Sequence, residues 1–157
     1  MPKSNQIGFL VKDTMASQLS FNLIKNVNDY IKDKDDDVVL FFENATSSIL
    51  TPNFSLMSIN EIWNFSGSLF ATNIFTALSM QKAFAPKNKL FYVWDLEWTR
   101  AHGKDFEFVI QAFSDENTTL IARSDEHAKA IENYCNRSVS NIVSDFNIEQ
   151  LVRISNE

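Results

Sequence analysis

Short apolar runs alternate along this chain with segments whose apolar residues recur at helical spacing, and this alternation constrains the fold more than any other feature. Ile7–Lys12 (IGFLVK) and Val38–Glu43 (VVLFFE) are continuous runs of the kind a strand buried on both faces requires. Between them, Leu19, Leu23, Ile24, Val27, Tyr30 and Ile31 mark a helix over Leu19–Lys32, which Ser17 can cap. Further strands are expected at Phe54–Ile59, Gly67–Thr72, Lys89–Trp98, Thr118–Ser124 and Val139–Ser144. Phe54–Ile59 shows alternation and so reads as nearer an edge. Further helices are expected at Ile74–Ala85, stopped by Pro86, at Lys104–Phe113, at Glu126–Asn136 with Asp125 as N-cap, and at Ile148–Ile154 capped by Asn147. Asn60–Phe65 has room for one helical turn, and the acidic run Asp33–Asp37 reads as a solvated turn.

Strands alternating with helices imply βαβ units and a parallel sheet. The expectation is one α/β domain over residues 1–157. It is three-layered and Rossmann-like, with a mostly parallel sheet of about six to seven strands and helices on both faces. Ligands of such sheets bind beyond the strands' carboxyl ends. Here those ends are Asp13–Gln18, Asn44–Ser48, Thr72–Asn73, Asp95–Gly103, Ser124–His127 and Asp145–Asn147.

Composition excludes several classes. Apolar residues at 45% make the chain globular, and three glycines with three prolines are too few for a turn-dense sandwich or barrel. A net charge of −6 without a Lys/Arg cluster argues against nucleic-acid binding. The single cysteine, Cys135, permits no internal disulfide and no multi-cysteine zinc site, which suits a reducing cytoplasm. No apolar run reaches membrane-spanning length and no signal peptide opens the chain. The loop after the first strand reads DTMASQ, so the glycine-rich dinucleotide fingerprint is absent, as are the P-loop, G-x-S-x-G and H-E-x-x-H. No cofactor or metal is expected.

The richest stretch is Lys89–Arg100 (KLFYVWDLEWTR), an apolar run that turns abruptly polar. If the strand persists, Asp95 and Glu97 share one face, and paired carboxylates can divide acid and base roles or bind sugar hydroxyls. His102 adds a candidate base beside Gly103. Asp95, Glu97 and His102 are the candidate catalytic residues. Trp98 and Arg100 are candidate ligand contacts, the tryptophan by stacking. Arg123, Ser124 and His127, at the start of a helix, form a candidate anion-binding set.

The order of elements resembles the N-terminal Rossmann-like half of GT-B glycosyltransferases, most clearly from Gly67 to Asp145: GSLFATN, a helix, KLFYVWDLEW, a helix, TTLIARSDEHAKAI and VSNIVSD. The asparagine- and phenylalanine-rich composition also suits small glycosyltransferase-like proteins of tailed phages, which would place the chain in a host cytoplasm. In GT-B enzymes a second domain supplies most nucleotide-sugar contacts, and no counterpart of it is expected within these 157 residues; DTMASQ also stands where the family has a glycine-rich loop. The resemblance therefore implies a binding or assembly module without autonomous activity. Its alternative is an active glycosyltransferase completed by a homo-oligomer or a second polypeptide, with a sugar or nucleotide sugar as ligand and the acceptor site at Asp95–His102.

Overall fold

The computed structural model describes residues 4–157. Among these residues, seven strands form one parallel sheet: β1 (Gln6–Val11), β2 (Asp37–Phe42), β3 (Ser55–Ser58), β4 (Ser68–Ala71), β5 (Asn88–Tyr92), β6 (Thr119–Ala122) and β7 (Asn141–Ile142). Their spatial order is β3-β2-β1-β4-β5-β6-β7, every neighbouring pair running parallel. The chain builds leftward from β1 to β3, crosses back, and builds rightward from β4 to β7. The reversal makes β1 and β4 neighbours at a topological switch point, where the buried Thr72 hydroxyl donates to the Leu10 carbonyl at 2.7 Å.

Five helices follow the strands: α1 (Gln18–Tyr30), α2 (Ile74–Lys82), α3 (Asp105–Ser114), α4 (Asp125–Cys135) and α5 (Ile148–Ser155). Two 3₁₀ helices, Ile59–Asn64 and Glu97–Arg100, occupy the crossovers after β3 and β5. Right-handed crossovers put leftward and rightward connections on opposite faces. Accordingly Leu23 and Val27 of α1 join Leu151 and Val152 of α5 over one face, against Phe9, Val11, Leu40, Phe70 and Tyr92. Ile74 and Ala77 of α2, Val109 and Phe113 of α3, and Ala128 and Ile131 of α4 cover the other, against Leu10, Phe41, Leu69 and Phe91. Successive strand residues alternate between the two cores, as the two-residue strand period demands. The three-layer α/β fold expected from the sequence is thus present.

Local chemistry sets the helix starts. Ser17, Asn73, Ser124 and Asn147 each accept the backbone N–H of the third residue onward. The cap of α4 is therefore Ser124, not Asp125, which is the first helical residue. The acidic run also departs from expectation: Asp36 accepts the Asn5 backbone N–H and the Tyr30 hydroxyl, tying the entrance of β1 to the end of α1. Asp36 is a tether in what otherwise reads as a solvated turn.

Beyond β7 the backbone makes an unusual corner, with Asp145 and Phe146 both left-handed at φ 55 and 54. Non-glycine residues pay for this conformation in steric strain. It is held by the Asn26 side-chain amide, which donates to both the Asp145 and Phe146 carbonyls, and by the fully buried Phe146 ring, 4.8 Å from Tyr92 and 5.8 Å from Phe9. The Tyr92 hydroxyl donates to the Val143 carbonyl, and burial pushes its pKa up to about 12.

Gly67 marks a close backbone approach between the entrances of β1 and β4. A Cβ there would lie 2.2 Å from the Gln6 carbonyl oxygen, a backbone atom that cannot step aside. Gly67→Ala should therefore lower unfolding free energy by about 1–3 kcal/mol. Urea titration of the variant tests this, and a midpoint equal to the parent's would contradict the tight β1–β4 entrance.

Candidate functional site

The polar exit of β5 is built differently from a continued strand. The ladder ends at Tyr92, with one further bond from the Val93 N–H to the Ile121 carbonyl. The Trp94 carbonyl then accepts from the Arg123 guanidinium at 3.0 Å instead of from a neighbouring strand. Leu96 leaves the extended region, and Glu97–Arg100 form a turn of 3₁₀ helix in which the Thr99 hydroxyl donates to the Leu96 carbonyl at 2.7 Å. The strand-face pairing of Asp95 with Glu97 is thus corrected: no strand persists there to alternate them.

The two carboxylates have separate surroundings. Asp95 is exposed and pairs with the Arg100 guanidinium, which holds that arginine's pKa above its usual value. Glu97 turns inward, where its Oε1 accepts the Ile74 N–H at 3.0 Å, satisfying a donor at the first turn of α2. Desolvation pushes the Glu97 carboxyl up to about 7. The Ile74 bond and Arg100 oppose that rise, and the Asp95 charge adds to it. A carboxyl group poised near neutrality can both take and give a proton at physiological pH. Beside it opens a cavity of about 200 Å³ walled by Ile74, Phe75, Ala101, Phe108 and Val109, with Arg100 and Asp105 at its polar side.

The other expected residues divide between two further places. Trp98 stacks face to face on Tyr134, with centroids 4.3 Å apart and planes 7° apart, and meets Phe113 edge-on at 5.5 Å. It belongs to the packing between the 3₁₀ turn, α3 and α4. His102 is exposed; its carbonyl accepts the Asp105 N–H, which helps start α3. Arg123, Ser124 and His127 do lie together at the exit of β6. The Arg123 guanidinium sits 3.7 Å over the Trp94 ring. The Ser124 hydroxyl accepts the His127 N–H as the α4 cap. His127 Nδ1 is buried with no hydrogen-bond partner, and burial together with Arg123 lowers its pKa, while Asp95 acts to raise it. The neutral imidazole is thereby favoured.

The structure therefore brings Asp95, Glu97 and Arg100 into one cluster and Trp94, Arg123, Ser124 and His127 into a second, with Asp95 electrostatically felt by both Glu97 and His127. Sequence reasoning missed Ile74, whose backbone N–H holds Glu97, and the Trp94–Arg123 stack. Neither has a sequence signal, because each joins residues more than twenty positions apart.

At the switch point itself, the loop after β1 is tied down. The Thr14 hydroxyl lies 3.1–3.4 Å from Thr46 and Ser48 groups, and the Thr14 carbonyl accepts the Ile49 N–H. A roomier hollow, about 480 Å³, lies along α1 and α5 on the opposite face from Glu97, lined by Asp29, Asp33, Asp145 and Glu149 with Lys34. Among the described residues, no three His, Cys, Asp or Glu side chains converge as metal ligands would. No helix among them is long and apolar enough to cross a membrane.

No family model, curated protein or solved structure matches this chain. Its chemistry must be read from its own geometry.

Glu97 offers a direct test of that geometry. Its folded-state pKa lies above the ordinary carboxylate value, so the folded chain holds the proton more tightly than the unfolded chain. The resulting stability is present at acid pH and is lost as pH rises from the ordinary carboxylate range through about 7. Replacing Glu97 by Gln keeps an acceptor for Ile74 and removes the titration. Urea unfolding at about pH 5 and about pH 8 should show the variant gaining roughly 1–2 kcal/mol on the parent across that interval. Parallel stability profiles would show that Glu97 titrates as an ordinary surface carboxylate.

Proposed function

We propose that this chain is a glycosyltransferase-like, Rossmann-type domain that serves as a cytoplasmic binding or assembly module and is not a self-sufficient enzyme. The observation that carries the reading is the internal commitment of five carboxyl-edge residues, Asp95, Glu97, Arg100, Arg123 and Ser124. Arg100 holds Asp95, Glu97 holds the start of α2, Arg123 holds the Trp94 carbonyl, and Ser124 caps α4. Catalysis of group transfer needs donors and acceptors aimed at a reacting atom, not at one another. The space beside Glu97 agrees with this: about 200 Å³ is below the ~300–1,000 Å³ of ordinary small-molecule sites, and a nucleotide sugar would not fit within it. The strand order, built outward in both directions from the β1–β4 switch point, supports the Rossmann-like resemblance.

One observation favours the alternative, an active glycosyltransferase completed by another copy or a second polypeptide. Glu97, with its pKa raised to about 7, has the proton affinity of a general base for an acceptor hydroxyl, and it stands at the strand exit where an acceptor would approach. In that reading Asp95 and Arg100 orient the acceptor, while Arg123 meets the donor's charge and the neutral His127 offers it a hydrogen bond.

A thermal-shift screen against nucleotide sugars and free nucleotides separates the two. The module reading expects no shift with any of them. A ligand at about 100 times its dissociation constant would add roughly 2.7 kcal/mol of stability. A saturable shift of that order, reduced by Asp95→Asn or His127→Ala, would replace the module by the transferase.

A further inference from the structure

The two edges of the sheet are unlike. β7 has two residues and offers almost no ladder. β3 has four, is outermost in the order, and exposes Ser55, Leu56 and Met57 in succession. Among the described residues, its outer row of N–H and C=O groups has no neighbouring strand. Natural edges are usually blunted by lysine, proline or an inward charge; SLMS carries none of these. Ile49, at 39% exposure, and Trp63, at 50%, add apolar surface in the segments that lead into and out of this strand.

Charge marks the same flank. The chain carries a net charge of −6, yet between Glu43 and Lys82 the sole charged residue is Glu61. Two copies meeting at β3 would bring together the loop into this strand, the strand itself and the turn after it, a stretch whose sole charge is Glu61. A surface that meets its own copy must be self-complementary, and an unpaired strand edge is so by construction: antiparallel pairing about a two-fold axis matches its donors to its acceptors.

We propose that β3 is a homodimer interface, joining two copies of this chain edge to edge into one continuous sheet. Side-chain alternation fixes the register. The two-fold axis stands perpendicular to the sheet, so it passes through Leu56 or Met57; a centre between them would oppose side chains from different faces. Centred on Leu56, the pairing sets Leu56 against its counterpart on the α1 face and Met57 against the copy's Ser55; centred on Met57, it sets Met57 against its counterpart on the other face and Leu56 against the copy's Ser58. The assembly closes as a pair, because β7 is too short to extend it. The inference deepens the assembly reading given above and rests on it for the dimer's purpose. A monomeric chain would sink the dimer and leave ligand binding to the nucleotide screen.

Sedimentation equilibrium at roughly 10–100 µM tests it. The parent should sediment at twice the chain mass. Leu56→Lys combined with Met57→Lys, both at exposed positions, should weaken the dimer at least about tenfold while keeping the circular dichroism of the parent. Phe75→Ser with Phe108→Ser, on the exposed aromatic surface between α2 and α3, should leave it intact. Independently of any loss of folding in the lysine variant, Leu56→Cys or Met57→Cys in a Cys135→Ser background should cross-link copies under mild oxidation. A monomeric parent, a dimer that survives the lysine pair, a dimer lost only with Phe75 and Phe108, or no cross-link from either cysteine would overturn the proposal.

Discussion

Strands β1 and β4, and most of β2, β5 and β6, are covered on both faces, so their backbone donors and acceptors can be satisfied only by neighbouring strands. This requirement organises the rest of the chain. It demands an unbroken ladder from β3 to β7, and the ladder demands close backbone approach at its centre, which is where Gly67 lies against Gln6. It also demands helices on both faces, because either uncovered face would expose a row of phenylalanine, leucine and valine to water.

Much of this is legible in the sequence, for a physical reason. A strand buried on both faces has to be apolar at nearly every position, and IGFLV and VVLFF announce themselves as such. Short caps such as Ser17 and Asn147 act over three residues and are equally readable. Strand ends are not. Lys89–Trp98 reads as one run, but the strand stops at Tyr92 because Arg123, from the next βα unit, takes the Trp94 carbonyl. Val139–Ser144 reads as a full strand and contributes two residues: the Val139 N–H goes to the Glu132 carboxylate, and beyond Val143 the chain turns into the left-handed corner at Asp145–Phe146 that Asn26, far away in α1, holds. What escapes the sequence in each case is a contact between distant segments.

The candidate site follows the same division. Its location at the strand exits comes from topology, which the pattern of elements conveys. Its chemistry depends on which partner each polar group finds, and the sequence does not say. Asp95 and Glu97 are two positions apart, yet one is a solvated partner of Arg100 and the other a half-buried carboxyl at the start of α2. Trp98, which looks like a ligand platform from its position, packs against Tyr134 and Phe113.

The face covered by α1 and α5 has a consequence for how the chain is made. Its two helices are the first and the last of the five, and the Asn26 clamp on Asp145 and Phe146 spans 119 and 120 residues. During synthesis α1 emerges with Leu23 and Val27 ready to pack, but Phe146 follows 120 residues after Asn26, and Leu151 and Val152 come later still. Until they do, half of one hydrophobic layer stands open, over Phe9, Phe70 and Tyr92. The opposite layer can close progressively as α2, α3 and α4 appear. Between the emergence of α1 and that of α5 the growing domain is therefore one-sided, and its aromatic centre waits for cover until α5 arrives.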